Sequence, residues 1–151
     1  MRWGWLALFA TVSAAAADPQ TGTMRSYAIE GDAIPASLTG QAGDAAKGAL
    51  LMQQRQKSLC VLCHSGPFPD PHLQGNIGPD LKGVGGRLTA GQLRLRIVDM
   101  KRLNPDSVMP TYYVAVANSS DLRIAADWRD KPILTAAEIE DLVAYLQTLQ
   151  P

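Results

Sequence analysis

The stretch Cys60-Val61-Leu62-Cys63-His64 constrains this chain more than any other. Two cysteines separated by two residues, with a histidine directly after the second, form the pattern that attaches a c-type haem. Each residue type has a chemical task. The two thiolates add across the two vinyl groups of the macrocycle, giving two thioether bonds, and the spacing suits one helical turn. The next residue then lies beneath the porphyrin plane, so that His64 can bind iron through its imidazole as the proximal ligand. Other chemistries of a C-x-x-C pair fit this chain less well. A thioredoxin-like dithiol wants a βαβ setting, and no such pattern flanks the motif. A structural zinc site wants four closed ligands, whereas the chain has two cysteines and, besides His64, one histidine, His72, in a Pro-rich loop. The expected cofactor is one haem c, covalent through Cys60 and Cys63.

The remaining sequence is read around that cofactor. A chain of 151 residues suits one domain once a targeting peptide is set aside. Met1-Arg2, the apolar run Trp3 to Val12, and Ala15-Ala16-Ala17 before Asp18 have the form of a secretory signal peptide, residues 1–17, cleaved to leave a mature start near Asp18. The apolar run is too short for a permanent span, so no membrane association is expected after cleavage. Both cysteines belong to the motif, which leaves none for a structural disulfide; a covalently held haem supplies a large apolar body for the core instead. The 14 basic and 14 acidic residues balance, so nothing in the net charge points to nucleic acid.

Residues 18–40 form an N-terminal extension rich in Gly, Pro, Ala, Thr and Ser, with Tyr27, Ile29, Ile34 and Leu38 as its larger apolar side chains after Met24. It reads as an extended arm lying on the domain or on a partner. The domain proper is expected over residues 41–151. A first helix is expected from an N-cap at Asp44 towards Lys57, with Ala46, Ala49, Leu50 and Gln53 on one face. Gly48 inside it marks close approach by another helix. From Ser65 to Arg87 the chain turns to Gly and Pro and reads as loop, long enough to wrap a haem edge. Within it, Pro79 of Gly78-Pro79-Asp80-Leu81 offers a carbonyl to the free ring N–H of a ligating histidine, which would fix the ring and strengthen it as a donor. A second helix opens at Thr89 with Gln92 as capping-box partner. Leu93, Ile97 and Met100 form its apolar face, and Arg94, Arg96, Lys101 and Arg102 form a basic one. That basic face is a solvated surface or a docking patch. The last helix carries a capping box at Thr135 and Glu138 and an apolar stripe of Ile139, Leu142, Val143, Leu146 and Leu149. No period-2 run is long enough for a sheet, so the fold class is all-α.

Haem iron with one histidine keeps an open position or takes a second axial ligand from the chain. Met52 falls on the first helix and Met100 on an apolar stripe, where packing explains both. His72 is too close to His64 to reach the opposite face. Met109 lies 45 residues after His64, in a loop stiffened by Pro110, and is the expected sixth ligand. Its thioether favours reduced iron and raises the potential.

The order of helix, C-x-x-C-H, Gly-Pro-x-Leu, Met-Pro and terminal helix resembles class I cytochromes c over residues 41 to 151. A narrower resemblance, to the SoxX family of small monohaem subunits of SoxAX cytochrome complexes, rests on Gly31-Asp32-Ala33-Ile34-Pro35-Ala36-Ser37-Leu38-Thr39-Gly40 and on Leu93-Arg94-Leu95-Arg96-Ile97-Val98-Asp99. Asn104-Pro105 through Met109-Pro110-Thr111-Tyr112-Tyr113, and Ile133-Leu134-Thr135 leading into Glu138-Ile139-Glu140-Asp141, add to it. The resemblance implies a cytochrome c fold with His64 and Met109 as axial ligands, and a meeting of Gly48 with Tyr145 where the first and last helices cross. It also implies a periplasmic heterodimer with a larger SoxA cytochrome, which oxidatively joins thiosulfate to a cysteine of the SoxYZ carrier. The sulfur chemistry of that L-cysteine S-thiosulfotransferase would sit on the larger subunit. This chain, with no catalytic residue of its own, would pass electrons to a small soluble cytochrome. The chain departs from the family's plainest form over 114 to 131, around Asn118-Ser119-Ser120 and Trp128. The alternatives are a free-standing periplasmic electron shuttle and a sensor with an open haem position.

Overall fold

The computed structural model describes residues 24–113 and 131–151. The expected signal peptide and the departure from the family pattern at Asn118-Ser119-Ser120 and Trp128 lie outside the described residues. Those residues form helices α1 (Ala45–Met52), α2 (Cys60–Cys63), α3 (Val84–Arg87), α4 (Ala90–Asp99) and α5 (Ala136–Thr148), with 3-10 turns at Pro71–Leu73 and Met100–Arg102. There is no strand among them, and a single Glu30–Ala33 bridge closes a turn in the arm. No helix of the described residues is long and apolar enough to cross a membrane.

Local sequence signals set the helix starts. Thr89 and Thr135 each accept from the backbone N–H three residues on, and the side chains of Gln92 and Glu138 return the bond to the cap residue. The Asp44 carboxylate caps α1 through Ala46 N and Lys47 N. The α1 end differs from expectation: the helix stops at Met52 instead of running towards Lys57. Its buried residues are Gly48, Leu51 and Met52, while Leu50 is exposed. The cause is the crossing with α5. A Cβ at Gly48 would lie 2.0 Å from the Asp141 carbonyl oxygen and 2.8 Å from Tyr145 Cβ. Backbone apposition of this closeness fixes the rotation of α1, and the weak Ala46–Ala49–Leu50–Gln53 stripe is overruled. Gly48 and Tyr145 do meet, as the resemblance implies.

Helix α4 also differs from its expected two-faced form. Leu93, Leu95, Ile97 and Val98 are all buried, and so are Arg94 and Asp99. Arg94 therefore does not belong to a basic surface. Its Nε and Nη2 donate to Glu140 Oε1 and Oε2 at 2.7 and 2.8 Å, in a bidentate pair with the two residues 5% and 3% exposed. Its Nη1 donates to the Ile34 carbonyl at 2.6 Å, and Glu140 Oε1 also accepts from Leu38 N at 2.8 Å. The ion pair thus fastens the N-terminal arm to α4 and α5. The arm's apolar anchors Ile34 and Leu38 are buried in the chain's own core, with Ile34 N donating to Gly91 O at 3.0 Å. Around them the core runs through Met52, Leu95, Val98, Leu134, Ile139 and Leu142. The expected loop from Ser65 to Arg87 holds two short helical pieces, Pro71–Leu73 and α3.

Candidate haem-attachment site

The motif occupies a single turn. Leu59, at φ 61°, is in the left-handed region a leucine seldom adopts, and it turns the chain into α2. Cys60 and Cys63 bracket that turn, both half-buried and unpaired with any other cysteine. Burial pushes the Cys60 thiol up from its ordinary value. His64 follows in extended conformation with its amide bonded to Cys60 O. Its ring Nδ1 lies 2.8 Å from the Pro79 carbonyl oxygen. A carbonyl accepts only, so Nδ1 carries the proton and the Nε2 lone pair is left to a metal.

The 66–81 segment is moulded onto the motif by hydrogen bonds. Gly75 N donates to Val61 O at 2.9 Å, Gly78 N to Cys63 O at 2.8 Å, and Leu81 N to Ser65 O at 2.8 Å. Gln74 fastens the loop internally, accepting from Gly66 N and donating to Phe68 O, both at 2.9 Å. Asp80 accepts from Lys82 N and from the Ser65 hydroxyl, and these bonds hold its carboxyl below the usual range. A Cβ at Gly78 would meet His64 Cε1 at 2.4 Å, so this position needs a residue with no side chain to let the backbone lie against the ring.

The structure therefore brings Cys60, Cys63, His64 and Pro79 together. Met109 lies apart in sequence, half-buried against the core, on a strap that starts at Asn104. Asn104 organises the strap's first turn through Ser107 N to its carbonyl and Asp106 N to its side chain. The far end is bound to α4 by Tyr112 N to Val98 O at 3.1 Å and Thr111 Oγ1 to Asp99 Oδ1 at 2.9 Å. His72 is exposed in its 3-10 turn, and Met52 is buried at the end of α1. The donor set fits a covalently attached haem: two thiols one turn apart, and an imidazole with its tautomer fixed from outside.

Neither a protein-family model nor a curated protein matches the chain. Among solved structures, the crystal structure of SoxXA from P. pantotrophus is similar at 33% identity and a TM-score of 0.72, covering 83% of this chain and 95% of the matched one. The chain belongs to the SoxX family. It is a Sox cytochrome with the cytochrome c fold. Within this SoxX-type frame, sequence reading missed Ser58 and Tyr112. Tyr112, 2% exposed, donates its hydroxyl to the Ser58 carbonyl, and the Ser58 hydroxyl lies 2.7 Å from Leu51 O. Burial, with the two thiols adding, pushes the Tyr112 phenol well above its ordinary range. The aromatic pair in Thr111-Tyr112-Tyr113 was the available signal, but nothing in the sequence tells which carbonyl 54 residues away receives the hydroxyl.

Proposed function

We propose that this chain is the monohaem electron-transfer subunit of a periplasmic Sox cytochrome complex. Cys60 and Cys63 hold one haem c by thioethers, and His64 and Met109 are the axial ligands. The observation that carries the reading is the His64–Pro79 bond beside two cysteines on one turn, in a SoxX-family chain. A haem bound there supplies a one-electron iron couple. The chain's own residues attach it, orient the proximal imidazole through Pro79, and offer a thioether from the strap. No thiol is left over for sulfur chemistry, which supports placing the joining of thiosulfate to a SoxYZ cysteine on a SoxA-type partner. A small soluble cytochrome is the proposed acceptor. Leu62, Leu73, Ile77 and Val108 are exposed apolar side chains on the motif, its loop and the strap, and are suited to docking such proteins.

The free-shuttle reading gains one observation. Residues 24–40 of the arm are held by their own domain at Ile34, Leu38 and Arg94, which supports an arm that orders without a partner. Co-expression with a SoxA-type cytochrome and gentle purification separates the two. A stable one-to-one complex is expected for the subunit, and a lone monomer for the shuttle. Met109→Ala tests the ligand: the far-red absorption band of methionine-ligated ferric haem is expected to vanish with covalent haem retained. A Met109→Ala spectrum identical to wild type would remove Met109 from the iron.

A further inference from the structure

The geometry assigns to Tyr112 a positioning role: its hydroxyl latches the strap that carries Met109 to the backbone from which the haem-attaching turn springs. Among the described residues, the bond from Tyr112 to the Ser58 carbonyl is the one hydrogen bond joining residues 104–113 to residues 53–82. The other anchors of the strap lie elsewhere. Asn104 and Ser107 close its first turn, Val98 and Asp99 hold its far end to α4, and Leu134 N and Arg25 N donate to the Tyr112 carbonyl and the Tyr113 hydroxyl. Ser58 is itself fully buried and immobilised, its amide on Gln54 O at 3.0 Å and its hydroxyl on Leu51 O. Leu59 in its left-handed conformation then leads directly to Cys60.

The same carbonyl has a second suitor. Cys60 Sγ lies 3.4 Å from Ser58 O, placed as a weak donor. Thioether formation would add the Cys60 S–H across a haem vinyl group, sulfur bonding one carbon and the proton going to the other as the double bond becomes single. It would leave sulfur with no proton to donate. Among the described residues Tyr112 is then the sole donor to this carbonyl, whose residue is fully buried. Attachment of haem at Cys60 thus concentrates that acceptor on the strap. Lifting the strap as far as Tyr112 would break the bond; deleting the hydroxyl leaves the Ser58 carbonyl unsatisfied with the strap down and free to meet water with it up. The balance shifts towards the open strap.

This inference rests on the reading of Met109 as axial ligand, and its test separates the two. Imidazole is titrated into the ferric holoprotein, where it competes with the strap for iron, while the far-red band is followed. Apparent imidazole affinity scales with the fraction of open strap. Tyr112→Phe is expected to bind imidazole roughly three- to tenfold more tightly than wild type, the range of one net hydrogen bond. Tyr145→Phe, on α5, is expected to leave the affinity unchanged. A wild type that shows the band, with Tyr112→Phe of equal imidazole affinity, overturns the latch alone, and so does an equal shift in Tyr145→Phe. A wild type without the band, matched in imidazole affinity by Met109→Ala, overturns the ligand reading and the latch with it. Should Tyr112→Phe fail to accumulate as holoprotein, 3-fluorotyrosine at position 112 carries the test. Its more acidic phenol is a stronger donor, so weaker imidazole binding than wild type supports the latch, and equal or tighter binding overturns it.

Discussion

Glu140→Ala is expected to lower the unfolding free energy of the holoprotein by roughly 3–5 kcal/mol, the cost of leaving a buried charge without its partner. In urea this is a fall of about 2 M in the midpoint for a chain of this size. The loss falls on Arg94. This residue is 5% exposed and bonds Glu140 through both Nε and Nη2, so removing the carboxylate strands a cation in the core and takes the acceptor from Leu38 N. The arm, α4 and α5 all meet at this pair. Arg94→Met with Glu140→Leu is expected to recover part of the loss because no charge remains buried. It stays below wild type, since the Ile34 carbonyl and Leu38 amide still lack partners. A Glu140→Ala midpoint equal to that of the wild type would show that the pair does not hold the arm in place.

Gly78→Ala is expected to damage the site with little effect on the rest of the fold. The added methyl would sit 2.4 Å from His64 Cε1 and 2.6 Å from Nδ1. The glycine has little room to retreat, because its amide is bonded to Cys63 O at 2.8 Å. The ring must therefore swing, and its bond to the Pro79 carbonyl is lost. Losses of this kind around a metal-bound histidine run to roughly tenfold or more in affinity or activity. The measurement is haem absorbance per unit of purified protein, together with the ferric spectrum. Expected are at least a roughly tenfold lower holoprotein yield or loss of the low-spin spectrum, with Asn76→Ala, at an exposed loop position, unchanged. Wild-type yield and spectrum in Gly78→Ala would mean that the ring tolerates rotation.

What could be read from the sequence was local, or rested on residues whose shape has few uses. The C-x-x-C-H turn, the Pro79 acceptor, the two capping boxes and the small residue at Gly48 each announce themselves within a few positions, and each has the expected geometry. Partners distant in sequence left no such trace. Arg94 looked like one more charge on a basic helix face because its partner lies 46 residues on, in α5. The buried face of α1 has a related cause: with only weak amphipathicity to orient the helix, contact with the α5 backbone decides which side is buried. Tyr112 and Ser58, 54 residues apart, are joined only by the fold. The bond that orients the His64 ring was thus foreseeable, while the long-range bonds of Arg94 and Tyr112 were not.

The most direct test of the central claim is the intact mass of the mature protein, made with a c-type maturation system and extracted with acidified acetone. That treatment removes non-covalent haem. The expected mass is the polypeptide plus one haem, with neither Cys60 nor Cys63 open to alkylation. A bare polypeptide with two alkylatable thiols would contradict the account at its base.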